Sequence, residues 1–333
     1  MKKLLFILLC LPMIGFGQLT MIPDDNFENY LETNGMGNGI ANDNYVFTSA
    51  IDTVTSLNIS TQGLGAASSI HDLTGIQDFT TLNYLDCSYN WLTSIDVNQN
   101  TALTYLNCNN NGITNLNVSQ NTALIYLNCA NILTLGSLDV SQNTALATLI
   151  CYNSQLTSLN VSGATSLDYL ACQWNQLTSL DVTNNLILNE LDCSYNQITS
   201  LELSYNENLR HARCHDNQLT YFNFRNGFNY LMCVLPVSSP YAFNVTNNPA
   251  LYCVGVDDSI WATNNWTVVK GNIDPQQYFS ENCSLPSAIQ EYTTNKELLK
   301  VTDLLGRETK GKKNQPLFYI YNDGTVEKRI VIE

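Results

Sequence analysis

Seven cysteines constrain what this chain can fold into. Cys87, Cys108, Cys129, Cys151, Cys172, Cys193 and Cys214 follow one another at separations of 21, 21, 22, 21, 21 and 21 residues. The apolar frame around them is repeated too. Leu82-x-x-Leu85-x-Cys87-x-x-Asn90-x-Leu92, then Ile95 and Val97, recurs across residues 81–226. A fixed period of this length belongs to a solenoid, one structural unit stacked on the next. Around each cysteine the pattern alternates with period two, which predicts a strand. Tyr84, Asp86 and Ser88 are expected on one side and Leu85 and Cys87 on the other. Stacked copies make a parallel sheet with strands about 4.8 Å apart, so nine turns would span roughly 43 Å. One unit cannot bury its own leucines, so stability is a sum of nearest-neighbour terms. Asn90, Asn111, Asn175, Asn196 and Asn217 are placed to bond the backbone groups left open where strand passes into loop.

The pattern L-x-x-L-x-C-x-x-N-x-L resembles the leucine-rich repeat, and its cysteine column resembles the cysteine-ladder internalin type. That resemblance implies an α/β-type repeat solenoid, mostly β, an arc with parallel strands on its concave face. The cysteines read as small buried hydrophobes. Side chains stacked on parallel strands have parallel Cβ vectors, poor geometry for a bridge. Residues 18–80 are expected to form an N-terminal cap and degenerate first turns. Phe27, Tyr30 and Leu31 share one helical face behind Pro23 and Asp24, while Leu57, Ile59, Leu73, Ile76 and Phe79 lead into Leu82. Residues 34–44, rich in Gly and Asn, read as a solvated loop without the spaced acidic ligands of an EF-hand. The repeats themselves fill residues 81–235. One extra residue between Cys129 and Val140 predicts a bulge in the ladder near residues 132–136, and Ser154 stands where asparagine is expected. Phe228, Leu231 and Cys233 continue the frame after 19 residues, and Leu251 with Cys253 after 20 more. Residues 236–286 are expected as the last repeat and a C-terminal cap like that of related secreted repeat proteins. Cys253 and Cys283 are expected to be bridged there, since both fall outside the regular ladder of an exported chain.

Both ends point to export. Residues 1–17 carry two lysines, an apolar run over residues 4–14, and Gly15 and Gly17 before Gln18. This is the pattern of a secretory signal, with a run too short to span a membrane. No other run reaches eighteen apolar residues, so no transmembrane segment is expected in the mature chain. Residues 287–333 hold eight of the fourteen basic residues and read as a small antiparallel β tail. Its alternating strands, around Leu317, Tyr319 and Tyr321 and over residues 325–332, are joined by Asn322-Asp323-Gly324, a hairpin turn. Lys300-Val301-Thr302-Asp303-Leu304-Leu305-Gly306-Arg307 and the basic final strand resemble the C-terminal sorting domain of type IX secretion substrates. The Tyr-Pro-Asn-Pro-like opening common in that family is missing. The resemblance implies recognition by that secretion machinery, passage across the outer membrane of a Gram-negative bacterium, and a secreted or surface-attached product.

Charge and aromatic content bear on function. Residues 18–286 carry four basic against 22 acidic residues, with no Lys or Arg over residues 4–209. Such a field repels nucleic acid and anionic membranes. One position of successive repeats holds Tyr84, Tyr105, Tyr126, Thr148, Tyr169, Glu190, His211 and Tyr230. The candidate ligand-binding face therefore comprises Tyr84, Asp86, Tyr89, Tyr105, Asn107, Tyr126, Asn128, Tyr152, Tyr169, Trp174, Asp192 and Tyr195. Large amphipathic rings on an extended concave face suit a protein or glycan ligand. Parts for catalysis are scarce. The histidines are His71, His211 and His215, and the last two sit about 13 Å apart along a strand, too far to share one ion. No serine lies in a nucleophile elbow, no glycine-rich loop follows a strand to cradle phosphate, and burial makes a ladder thiol a poor nucleophile. The expectation is an exported, non-enzymatic binding protein with no cofactor and no metal. A self-associating surface or matrix component is the alternative, and an undetected hydrolase stands behind both.

Overall fold

The computed structural model describes residues 17–63, 66–228, 243–283, 298–302, 307–309, 316–321 and 326–330. Residues 1–16 of the expected signal, Tyr230, Leu231, Cys233, residues 303–306 of the sorting-like motif and the turn Asn322-Asp323-Gly324 lie outside them. The chain divides into one unit ending at Cys283 and a second, Ser284–Glu333.

The first unit opens with β1 (Leu19–Met21), α1 (Asp25–Thr33), β2 (Tyr45–Phe47) and α2 (Thr48–Ile51), with β1 and β2 antiparallel. Asp24 caps α1, one carboxylate oxygen accepting from the N–H groups of Asn26 and Phe27 at 3.0 Å. Its other oxygen accepts from His71 and Asp72 N–H, so the same side chain ties the helix to the first turns. Phe27 and Leu31 are buried and Tyr30 packs beside them. The loop over residues 34–44 is solvated as expected at residues 34–35 and 39–42, and it also closes over two carboxylates. Glu28 is fully buried, its carboxylate accepting from Asp43 and Asn44 N–H at 3.0 and 3.1 Å. Glu32 accepts from Asn38 and Gly39 N–H at 2.7 and 3.0 Å. The glycines and asparagines let the backbone wrap inward around two carboxylates, which satisfies a charge that would be costly to bury alone.

Eight strands then stack in parallel: β3 (Ser56–Asn58), β4 (Tyr84–Asp86), β5 (Tyr105–Asn107), β6 (Tyr126–Asn128), β8 (Thr148–Ile150), β10 (Tyr169–Ala171), β11 (Glu190–Asp192) and β13 (His211–Arg213). Their central residues, from Leu57 through Leu85, Leu106 and Leu127 to Ala212, are buried, as are all seven ladder cysteines. Those thiols are free. Burial pushes the thiols of Cys87, Cys129 and Cys172 well above their ordinary value and those of Cys108 and Cys151 up to about 12. This is a leucine-rich-repeat solenoid of about nine turns.

The asparagine column works as its spacing suggests. Asn196 Oδ1 accepts from Leu177 N–H at 3.0 Å, while Nδ2 donates to Cys172, Cys193 and Ser194 carbonyls. Ser154 substitutes in part: its hydroxyl donates to Cys129 O and accepts from Ile132 N–H. A second column escaped the sequence reading. Asn100, Asn121, Asn143, Asn185 and Asn206 are buried, and Asn121 Nδ2, for example, donates to Val97 and Asn100 carbonyls at 2.9 Å.

Two expectations about register are overturned. The ladder has no bulge at residues 132–136, because β6 and β8 pair in unbroken register, Tyr126 opposite Thr148. The extra residue is absorbed in the loop, where Gly136 takes φ +69° and leads into β7 (Ser137–Asp139), paired with β9 (Ser158–Asn160). The frame also does not continue at Cys253, and Leu231 and Cys233 lie outside the described residues. The ninth rung is Asn244, bridged to Arg213, with Val245 in the cysteine position and Asn248 accepting from Leu219 N–H. Cys253 belongs to another sheet altogether: β12 (Ser200–Glu202), β14 (Tyr221–Asn223), β15 (Cys253–Gly255) and β16 (Tyr278–Ser280). An insertion before Phe243 hid this from a count of residues.

Aromatic rings close the apolar end of the stack. Trp266, fully buried behind α3 (Ser259–Asn265), lies 4.1 Å from the Phe243 ring, with Phe222 and Phe224 beneath. Cys253 and Cys283 form the expected disulfide. The second unit contains an antiparallel sheet, β17 (Leu298–Thr302), β18 (Pro316–Tyr321) and β19 (Val326–Ile330). Among the described residues no helix is long and apolar enough to cross a membrane.

Two stability predictions follow from these contacts. Gly75 holds φ +102°, and a Cβ there would sit 2.3 Å from Ile22 Cδ1 and 2.7 Å from Met21 O. Gly75→Ala is therefore expected to cost about 1–3 kcal/mol, read as a lowered melting temperature. The thiols of Cys87, Cys108, Cys129, Cys151 and Cys172, raised by burial, give a pH dependence. Only the unfolded chain releases these protons above its ordinary cysteine pKa of about 8.5. Stability is thus unaffected by them below that pH and falls above it, by about 1.4 kcal/mol per pH unit for each thiol. Melting curves across alkaline pH should show this fall, and Cys108→Ala should lessen its slope.

Candidate ligand-binding face

Constant register turns the outward side of the long sheet into columns. The first runs Tyr84, Tyr105, Tyr126, Thr148, Tyr169, Glu190, His211, each opposite the next. The Tyr84 and Tyr105 rings stack at 4.3 Å and 12°, and those of Tyr105 and Tyr126 at 4.4 Å and 3°. Burial raises the Tyr105 and Tyr126 phenols above their ordinary value, so they remain protonated donors. Because the rings use their faces on one another, they present edges and hydroxyls outward.

The second column holds Asp86, Asn107, Asn128, Ile150, Ala171, Asp192 and Arg213. Asn107 Nδ2 donates to Asp86 Oδ2 at 3.0 Å. Asp86 Oδ1 accepts from both the N–H and the hydroxyl of Ser88, which draws Ser88, expected outward, to 2% exposure. Asp192 holds Ser194 the same way, and its other oxygen lies 3.5 Å from the Arg213 guanidinium.

The third column lies two residues beyond each cysteine: Tyr89, Asn110, Asn131, Asn153, Trp174, Tyr195 and Asp216, with Asn247 on the ninth rung. All eight have φ between +52° and +60°. Asn and Asp enter this left-handed region readily, whereas a bulky side chain there costs roughly 1–2 kcal/mol. Trp174 and Tyr195 offset that cost by stacking on each other at 3.7 Å and 9°, with the His215 edge 5.1 Å from Tyr195. Tyr152 does not belong with them. It lies one residue beyond its cysteine, level with Gln173, and is half-buried.

His211 and His215, the candidate half metal site, have different surroundings. His215 is 5% exposed, its ring between Asp216 Oδ2 at 2.7 Å and Arg213 Nη2 at 3.4 Å. His211 stands on the sheet face. Among the described residues no three or more His, Cys, Asp or Glu side chains are grouped to hold a metal. Between β10, β11 and β13 the face is indented by a pocket of about 260 Å³, lined by Tyr169, Gln173, Glu190, Leu191, Asp192, His211 and Arg213. Gln173, Glu190, Leu191, His211 and Arg213 were not among the expected site residues, although Glu190 and His211 stand in the tyrosine column. Period counting alone would have placed Gln173 and Arg213 level with Tyr152 and Asp192.

No family model matches the chain, and no curated protein matches it. Among solved structures it is similar to the functional domain of InlJ from Listeria monocytogenes, which includes a cysteine ladder. The identity is 28% over 79% of this chain and 61% of that one, with a TM-score of 0.49. It is also similar to internalin C2 of Listeria monocytogenes, at 22% identity over 60% of this chain and 87% of that one, TM-score 0.49. A third is the leucine-rich-repeat protein LIC12759 of Leptospira interrogans, at 17% identity over 62% and 51% of the two chains, TM-score 0.43.

The third column makes its own prediction. Trp174→Asn removes the stack and also the strain, so its unfolding free energy is expected within about 1 kcal/mol of the parent protein's. Calorimetric unfolding of the variant is the check, and a large loss would show that the ring is structural.

Proposed function

We propose that this protein is an exported, non-enzymatic repeat protein that recognises a protein or glycan through the outward face of its long sheet. The observation that carries this reading is the continuous Tyr84–Tyr105–Tyr126 stack on an open strand face, where only backbone register is needed for folding. Aromatic side chains with polar tips are the usual anchors of binding energy. The acidic repeat unit favours a partner that is neutral or basic. The leader over residues 1–17 and the type IX-like tail over residues 287–333 support delivery to the surface or medium of a Gram-negative bacterium through that secretion machinery. Cys253–Cys283 fits an oxidising destination.

Binding of the purified protein to glycan and protein arrays tests the face, alongside a Tyr105→Ala, Tyr126→Ala, Tyr169→Ala triple variant. A ligand retained by the parent and lost, by about tenfold or more, in a normally folded variant is the expected result. Equal binding by both would reject the tyrosine column. Concentration-dependent oligomers that survive the three substitutions would favour a self-associating matrix component instead. Deletion of residues 287–333 is expected to leave the protein inside the producing cell, read by fractionation.

A further inference from the structure

The pocket near the end of the sheet differs in chemistry from the tyrosine stack. Resting on the reading of this face as a binding surface, the geometry points to a subsite there for one neutral sugar ring, built by Tyr169, Gln173, Glu190, Asp192, His211 and Arg213.

Charge weighs against the simpler ligands. An anion entering the pocket meets Glu190 and Asp192, and an ammonium group meets Arg213, whose guanidinium is fixed between Asp192 at 3.5 Å and His215 at 3.4 Å. The two carboxylates outweigh the one guanidinium, and acceptors set beside a donor suit groups that donate and accept without being charged. Hydroxyls are such groups. One acceptor in the wall is open and unmet: the half-buried Glu190 carboxylate makes no hydrogen bond or ion pair with the described residues. A ligand O–H offers it a donor that the fold does not. Planar carboxylate, amide and guanidinium groups can each span two neighbouring hydroxyls.

Size and aromatic content agree. About 260 Å³ falls just below the range for a drug-sized ligand, which fits one ring rather than an extended segment. Tyr169 supplies a ring within the pocket. Trp174, next in sequence to Gln173, is 56% exposed and stacked on Tyr195, in the same two repeats as Gln173 and Asp192. Tyr89 also holds an aromatic in the left-handed position, but Trp174 and Tyr195 are the adjacent pair that stack there, where Asn110, Asn131, Asn153 and Asn247 sit without strain. Strain kept at neighbouring positions marks a functional site more often than a packing need.

The test is calorimetric titration of the full protein with methyl glucoside, methyl mannoside, methyl galactoside and N-acetylglucosamine, with sialyllactose and a lysine-rich peptide as charged probes. Parent, Glu190→Ala, Trp174→Ala and, as a remote control, Tyr205→Ala are compared, with melting temperatures confirming each fold. Expected is saturable binding of at least one neutral sugar, insensitive to salt, weakened about tenfold or more in Glu190→Ala and in Trp174→Ala, and unchanged in Tyr205→Ala. Binding of the charged probes alone, or neutral-sugar binding equal in Glu190→Ala and parent, overturns the subsite. Sugar binding lost in a Tyr105→Ala, Tyr126→Ala double variant, whose substitutions lie outside the pocket lining, but kept in Glu190→Ala moves the ligand along the sheet, which rejects the pocket and keeps the face. No sugar binding, with an array ligand still lost in the tyrosine triple variant, rejects the pocket alone.

Discussion

A chain that turns back on itself every 21 residues leaves amide and carbonyl groups without partners at each corner, and asparagine side chains supply those partners. Asn90, Asn111, Asn175, Asn196 and Asn217 each accept from one turn and donate to two. Each therefore fixes not only its own corner but its spacing from the corner before. An apolar core supplies most of the driving force, yet leucine contacts alone tolerate sliding. Directional bonds from a planar amide do not. Ser154 shows the limit of this dependence, since one hydroxyl meets only part of the demand and the extra residue sits in the repeat just before it.

From fixed corners comes fixed register, and from register the columns. Identical side chains land above one another at strand spacing, which brings Tyr84, Tyr105 and Tyr126 into a stack without any contact having been arranged for that purpose. The interior has little freedom to carry specificity: leucine, cysteine and asparagine recur because the corners and the narrow core require them. Variation is confined to the outward positions, where Thr148, Glu190 and His211 interrupt the tyrosines and Trp174 and Tyr195 replace asparagine. Those interruptions create the pocket and the strained stack.

The ladder, the N-terminal cap and the C-terminal disulfide were legible because each rests on local rules: a period, a helix-start aspartate, a pair of cysteines left over. What was not legible depended on events without a local signature. Glu28 reads as a solvent-facing helix residue until the loop closes over it. Val245 takes a cysteine's place 31 residues after Cys214, beyond any period a count would accept, whereas Cys233 stood at a tempting distance. Tyr152 and Trp174 both read as outward aromatics, yet one residue of offset from the cysteine decides between a half-buried position and a left-handed corner. Arg213 is legible only from the register, one period beyond Asp192.

Because every rung presents the same edge to its neighbours, a repeat can be duplicated or lost by unequal recombination without disturbing the corners on either side. The aromatic stack can thus lengthen or shorten in whole steps of one residue per gene segment, independently of the pocket that begins two rungs away. A lineage carrying this fold can alter reach and local chemistry as separate heritable traits.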